Sequence, residues 1–140
     1  MAGRRDHAAD RAALLDRIHG LILERTEAFA HAISQEMGCA ISVARGTQVP
    51  IAAEHVRVAR DLAASYPFLT HRGSTAILRE AIGVCVLITP WNWPLNQIVS
   101  KLAPALLAGC TVVLKPSEKT PSACLLFAEL MQRAGLPAGC

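Results

Sequence analysis

Two apolar runs of strand length, each followed by a helical stripe, constrain the fold of this chain more than any other feature. The runs cover residues 83–89 and 111–115, and neither shows a regular alternation with polar residues. Such runs are typical of strands that are buried on both faces of a parallel sheet. Apolar side chains recur at helical spacing over residues 95–106 and again over residues 120–134. The order strand, helix, strand, helix predicts a βαβα unit of the α/β class.

The first half of the chain has a helical pattern instead. Apolar residues over 10–37 recur at steps of three, four and seven, which predicts one long helix that ends at Gly38. Residues 42–66 predict a second long helix, which Pro67 ends. The mixed segment Ser74–Arg79 predicts a short exposed strand. We therefore expect three parts: a helical segment over 1–72, an exposed strand within 73–81, and the βαβα unit with a partial parallel sheet over 82–140.

Charge and cysteine usage argue against several classes of function. The 14 basic and 11 acidic residues leave a net charge of +3. The sequence contains neither a basic stripe nor a nucleic-acid-binding motif, so we expect no nucleic-acid partner. Five scattered cysteines without a C-x-x-C pair indicate a reducing, cytoplasmic compartment. No two histidines lie three or four residues apart, so we expect no metal site. The longest uncharged stretch, 81–100, contains prolines and amide side chains that a membrane helix would avoid.

Polar loops follow both predicted strands. Residues 89–94 come after the first strand, and residues 115–119 come after the second. Because ligands of open α/β sheets bind beyond the carboxyl ends of the strands, the two loops predict one polar crevice. No G-x-G and no G-x-x-x-x-G-K sequence occurs, so neither loop carries a common phosphate-binding fingerprint. The pattern alone leaves the ligand of this crevice open.

Two segments in these loops resemble adjoining signatures of the aldehyde dehydrogenase superfamily. They are Ile88–Leu95 and Val113–Pro121, and the residues between them and Gly135–Gly139 are similar to the same family. The resemblance over residues 81–140 shows no gap. It implies an N-terminal fragment of the family's cofactor-binding domain. Residues 1–140 would then be one incomplete NAD-binding domain with half of a Rossmann-like parallel sheet.

The resemblance implies a catalytic role for Asn92. This residue matches the family's asparagine whose side-chain amide helps to hold the oxyanion of the thiohemiacetal. A neutral amide donor suits a site where negative charge develops. From the residues alone, closing its own loop is the favoured role of Asn92, because asparagine is common in turns.

The resemblance also implies a cofactor site. Lys115 and Glu118 match residues that bind the adenosine ribose, with Ser117 between them. A carboxylate near the ribose 2′ position would repel the 2′-phosphate of NADP, so the implied cofactor is NAD. From the residues alone, Lys115 and Glu118 could be the solvated ends of a surface turn. The nicotinamide side of the cleft would be lined by the segment of Ile88, Thr89, Pro90 and Trp91.

The implied activity belongs to a larger enzyme. The complete enzyme would attack a small aldehyde with a cysteine thiolate, pass a hydride to NAD and hydrolyse the thioester to a carboxylic acid. The family's cysteine and general-base glutamate match positions downstream of residue 140, so this chain alone is expected to be inactive. The resemblance further implies a homo-oligomer in the complete enzyme. The alternative is a truncated, non-catalytic module for nucleotide binding or interaction.

Overall fold

The N-terminal region folds into two consecutive helices where the sequence predicts one. The computed structural model describes residues 3–139. Helix α1 spans Gly3–Glu24 and helix α2 spans Thr26–Met37. At the junction the Thr26 hydroxyl donates to the Leu23 carbonyl at 2.7 Å, and such side-chain bonds compete with the helical ladder. Helix α2 ends before Gly38, as predicted, and this glycine has the left-handed conformation that it adopts without strain.

The second predicted helix contains a wider turn. It begins as the short helix α3 (Ile41–Val43), widens into a π-helical turn (Ala44–Gln48) and continues as helix α4 (Val49–Leu62). Pro50 lies in the first turn of α4, where a missing backbone N–H costs little. Helix α4 ends at residue 62, rather than at residue 66 as the sequence predicts.

The chain then forms a β-hairpin. Strand β1 (Leu69–Arg72) pairs antiparallel with strand β2 (Thr75–Leu78). The turn contains Gly73 with a φ of +59°, as tight hairpin turns require. The prediction of a helical segment up to residue 72 is therefore wrong, because β1 carries no apolar stripe that would hold a helix on the core. The single strand predicted within 73–81 is the second strand of this hairpin.

The predicted βαβα unit is confirmed. Strands β3 (Val84–Ile88) and β4 (Thr111–Lys115) are parallel neighbours, helix α5 (Pro94–Ala108) connects them, and helix α6 (Pro121–Arg133) follows. Ile88 lies opposite Lys115 in the register. Both strands therefore end at the same edge of the sheet, and the loops that follow them start side by side.

Only one face of this small sheet is covered. Leu87 is buried, whereas the fractional exposures of Val84, Val86 and Ile88 are 66%, 62% and 68%. The expectation that both strands are buried on both faces is therefore wrong for residues 3–139. The cause lies in the layers: α5 contacts both strands, and no described element packs on the opposite face. An apolar run without alternation predicts two covered faces even when only one covering layer is present.

The core lies among the helices. Helix α4 packs against both α1 and α5, and α2 packs against α6. The apolar stripe predicted over residues 10–37 faces this core, because its members are almost fully shielded from solvent. The largest fully buried side chains in the described part of the chain include Phe29, Phe127, Leu15, Ile18, Ile22, Ile33, Leu95 and Ile98.

Candidate functional site

The two strand ends bring the predicted site residues to one edge of the sheet. The Asn92 loop (residues 89–93) follows β3, and the Glu118 loop (residues 116–120) follows β4. The Thr89 N–H donates to the Lys115 carbonyl at 3.2 Å, which extends the strand pairing into the first loop. The carboxyl ends of parallel strands are where open α/β sheets bind ligands. The two polar loops therefore lie side by side where the sequence predicts a crevice.

The Asn92 side chain is available to a ligand. It is exposed, and within residues 3–139 no protein group forms a hydrogen bond with its amide. The next residue, Trp93, has φ 58° and ψ 52°, and it is the only described non-glycine residue with a positive φ. An L-residue in this conformation costs about 1–2 kcal/mol. Such strain concentrates at functional sites and must be held by the surroundings.

Two contacts hold Trp93 in place. The Gln97 N–H donates to its carbonyl at 2.9 Å, which starts helix α5. Its own N–H donates to the Met37 sulfur at 3.4 Å. Met37 lies 56 residues earlier in the chain, so no local sequence signal could have predicted this second contact.

Lys115 and Glu118 lie close together and open to solvent. Their nearest nitrogen and oxygen atoms are 3.8 Å apart, and the side chains are 63% and 79% exposed. The pKa of the Glu118 carboxyl is lowered, first by its own backbone N–H and then by the charge of Lys115. Glu118 is therefore an anion at neutral pH. A loose, exposed pair of this kind leaves both groups able to bond a ligand.

A cation–π contact joins the two loops. The Lys119 ammonium lies 5.7 Å from the centre of the Trp91 ring. Lys119 is not among the site residues predicted from the sequence, although it is the last residue of the predicted polar loop 115–119. The contact places Trp91 against the Glu118 loop rather than in the core, and Trp91 is 45% exposed.

The other predicted cofactor residues occupy different surroundings. Ser117 is buried, and its hydroxyl accepts the Lys119 N–H at 3.2 Å, so it closes its own loop. Thr89 is buried at the strand end. Ile88 and Pro90 are exposed, with Ile88 on the uncovered face of β3. Their roles toward a cofactor stay predictions.

Two of the described cysteines, Cys85 and Cys124, lack the surroundings of a nucleophile. Hydrogen bonding with Cys110, followed by burial, raises the pKa of the Cys85 thiol. Burial, followed by the charge of Glu36, raises the pKa of Cys124. A raised pKa lowers the fraction of thiolate, which is the reactive form. Cys140 lies outside the described residues.

The described residues contain neither a cluster of metal ligands nor a membrane-spanning helix. No group of three His, Cys, Asp or Glu side chains within residues 3–139 could hold a metal ion. No helix in the same part of the chain is long and apolar enough to cross a membrane.

The fold and the two loops define a class of protein. A parallel βαβα unit with polar loops at the carboxyl ends of its strands is the arrangement of nucleotide-binding α/β domains. A sequence model of the aldehyde dehydrogenase family matches residues 4–140. The chain belongs to this family.

Known relatives match nearly the whole chain. The 3-succinoylsemialdehyde-pyridine dehydrogenase of a Pseudomonas species is 43% identical over 92% of this chain and 27% of its own length. A solved variant of aldehyde dehydrogenase C from Pseudomonas syringae, in complex with NAD+ and octanal, is 66% identical with a TM-score of 0.93, covering 94% of this chain and 27% of that one. An aldehyde dehydrogenase from Bartonella henselae is 39% identical with a TM-score of 0.90, covering 94% of this chain and 29% of that one. The chain therefore spans between 27% and 29% of the length of these relatives.

Proposed function

We propose that this chain supplies the oxyanion donor and part of the NAD site of an enzyme that oxidises a small aldehyde to a carboxylic acid. The main supporting observation is the Asn92 side-chain amide, which is exposed and, within residues 3–139, has no protein hydrogen-bond partner. Its loop starts next to the strand end that carries Lys115. Family membership supports the reaction class. The relative that was solved with NAD+ and octanal supports both the cofactor and the kind of substrate.

Asn92 acts on the carbonyl oxygen of the aldehyde. When a thiolate adds to the carbonyl carbon, the oxygen gains negative charge, and the amide N–H of Asn92 donates a hydrogen bond to it. The two hydrogen bonds of Trp93 hold the backbone next to Asn92, and a donor that is held in place loses less free energy in reorganising. The thiolate and the general base belong to the rest of the enzyme, so we expect the 140-residue chain to have no aldehyde-oxidising activity alone.

Lys115 and Glu118 hold the adenosine end of the cofactor. The Lys115 ammonium donates to ribose hydroxyls, and the Glu118 carboxylate accepts from them. The two groups fit this task because they are exposed and only loosely paired. NAD, when bound, accepts the hydride that leaves the substrate. The anionic Glu118 disfavours the 2′-phosphate of NADP.

The complete enzyme would be a cytoplasmic homo-oligomer. The exposed hairpin of β1 and β2 offers unpaired strand edges to a neighbouring subunit. The second candidate function is a non-catalytic module that binds a nucleotide or a partner. The uncovered apolar face of β3 favours that module for the isolated chain.

Calorimetric titration of the purified chain with NAD and with NADP tests the cofactor site. We expect NAD to bind, NADP to bind more weakly, and Lys115→Ala to weaken NAD binding by about tenfold or more, since hydrogen bonds to charged groups contribute about 1.5–3 kcal/mol. Glu118→Gln should weaken NAD binding and narrow the difference from NADP.

Glu129→Gln is the matched control, because Glu129 is exposed on α6 and its nearest cation, Arg25, is 4.0 Å away. Equal NAD affinity in the parent chain and in both site variants would remove the proposed roles of Lys115 and Glu118. An unchanged preference for NAD in Glu118→Gln would remove Glu118 as the group that rejects NADP.

A further inference from the structure

The last turn of helix α2 contacts the end of the Asn92 loop and the start of helix α6, which follows the Glu118 loop. The Glu36 carboxylate accepts the N–H groups of Ser122 and Ala123 at 2.6 and 3.3 Å. These residues open helix α6, directly after the Glu118 loop. The adjacent Met37 accepts the N–H of Trp93, at the end of the Asn92 loop, at 3.4 Å. Two neighbouring side chains of one helix therefore hold the end of the Asn92 loop and the start of the helix that follows the Glu118 loop.

The contact through Glu36 is electrostatically favourable. The first N–H groups of a helix have no partner within the helix, and they form the positive end of its dipole. Pro121 occupies the start of α6, and no side chain of the Glu118 loop caps this helix. The carboxylate of Glu36 accepts two of these N–H groups in place of a local cap. The start of α6 is thus fixed to α2 across 86 residues of sequence.

The Met37 sulfur also accepts a hydrogen bond from a second donor. The Gln48 side-chain amide donates to the Met37 sulfur at 3.5 Å and to the Cys39 sulfur at 3.6 Å. Gln48 is only 1% exposed and ends the π-helical turn, an irregularity that is frequent at functional sites. The thioether therefore accepts from Gln48 and from the strained Trp93, and it connects the helical region to the Asn92 loop.

We infer that the Glu36–Met37 turn is a positioning element that sets the separation of the Asn92 loop and the Glu118 loop. It touches neither substrate nor cofactor, and it acts through Trp93 and the start of α6. Its value for catalysis rests on the proposed function, in which one loop holds the oxyanion and the other holds the adenosine ribose. Removing either bond should let one loop shift relative to the other while the helices stay folded.

The test uses the 140-residue chain and needs no catalysis. Met37→Leu keeps the apolar volume and removes the acceptor, and Met131→Leu makes the same change in the buried part of α6 away from the loops. Glu36→Ala removes both acceptor oxygens, Glu36→Gln restores one, and Glu129→Ala is its control. Nuclear magnetic resonance follows amide exchange and the shift of the Lys119 ε-methylene protons, which adjoin the ammonium that lies 5.7 Å from the centre of the Trp91 ring. This shift reports the separation of the loops.

We expect Met37→Leu to accelerate exchange of the Trp93 amide by roughly three- to tenfold, the range that the loss of one hydrogen bond predicts. Glu36→Ala should accelerate exchange of the Ser122 and Ala123 amides by about tenfold or more, because hydrogen bonds to a charged group contribute about 1.5–3 kcal/mol. Glu36→Gln should rescue part of this effect. The chemical shift of the Lys119 ε-methylene protons should change in Met37→Leu and Glu36→Ala. It should not change in the two controls, Met131→Leu and Glu129→Ala. A Lys119 signal that stays in place in both site variants, or that moves equally in the controls, overturns the proposal.

Titration of the same variants with NAD separates this proposal from the proposed function. If the parent chain binds NAD, weaker binding by Glu36→Ala and unchanged binding by Glu129→Ala support both. If the parent chain binds no NAD, the proposed cofactor site fails, and the exchange rates and the Lys119 signal still decide whether the turn positions the loops.

Discussion

The helical region and the βαβα region of this molecule bury their apolar residues to very different extents. In α1, the side chains of Leu15, Ile18 and Ile22 are completely buried, because α4 packs along the same face. In β3, three of five residues point to an uncovered face and are more than 60% exposed. The helical region therefore completes its own packing, whereas the sheet that carries the candidate site completes only one of its two faces.

This difference locates the source of stability. Full burial of one large aliphatic side chain contributes about 1.5–3 kcal/mol, and that contribution is realised along α1 but not on the uncovered face of β3. The candidate site is consequently carried by a sheet that depends on α5 and on the contacts from α2. The hydrogen bonds of Glu36 and Met37 matter for this reason. They link the end of the Asn92 loop and the start of α6, which follows the Glu118 loop, to the well-packed helical region.

The largest expected effect is a core truncation in the helical region. Ile18→Ala should lower the free energy of unfolding by about 2–5 kcal/mol, because it leaves a cavity against α4. Val86→Ala, on the uncovered face, should lower it by less than about 1 kcal/mol. Urea denaturation followed by circular dichroism measures both. Similar losses in the two variants would mean that β3 is covered in solution and that the two regions do not differ in burial.

A smaller effect is expected from charge on the uncovered face. Val84→Lys combined with Val86→Lys should remove most of the fluorescence of a bound hydrophobic dye such as anilinonaphthalene sulfonate, since these residues form the exposed apolar surface of β3. The urea midpoint should stay close to that of the parent chain. Leu125→Lys, which alters a single exposed residue on α6, serves as the control. Equal dye binding by the parent chain and the double variant would contradict an open face.

The same contrast explains what the sequence could predict. The βαβα order could be predicted from the sequence, because both strands are apolar runs without regular alternation. A glycine, Gly109, follows the last residue of α5 and separates this helix from β4. The exposure of the second face of β3 could not be predicted, because an apolar run does not show whether one or both faces of its strand are covered by other elements. The break at Arg25 and strand β1 were missed because they depend on one local hydrogen bond and on a hairpin turn at Gly73.

The candidate site divides in the same manner. The Asn92 and Glu118 loops were predictable, because parallel strands that are neighbours in sequence end at one edge. The bonds that hold the loops were not predictable. Met37 and Trp93 are 56 residues apart, Glu36 and Ser122 are 86 apart, and only the packing of α2 beside both loops brings them together.

The smallest expected effect is the response to acid, to which two ion pairs of the helical region contribute. Glu27 and Glu54 have lowered pKa values, in each case first because of a side-chain hydrogen bond, from Arg45 and Arg57 respectively. A folded-state pKa below the ordinary value of 4.5 means that the stabilisation is fully present above about pH 4.5 and is lost as the pH falls through the lowered pKa.

Urea midpoints measured from neutral pH down to about pH 3 check this sign. The parent chain should lose stability only below the ordinary glutamate pKa, and Glu54→Gln should flatten that loss slightly, because an amide has no charge to lose. Glu129→Gln is the matched control, since it removes an exposed glutamate that has no partner at hydrogen-bond distance. A loss of stability that begins near neutral pH would instead point to groups outside these two pairs.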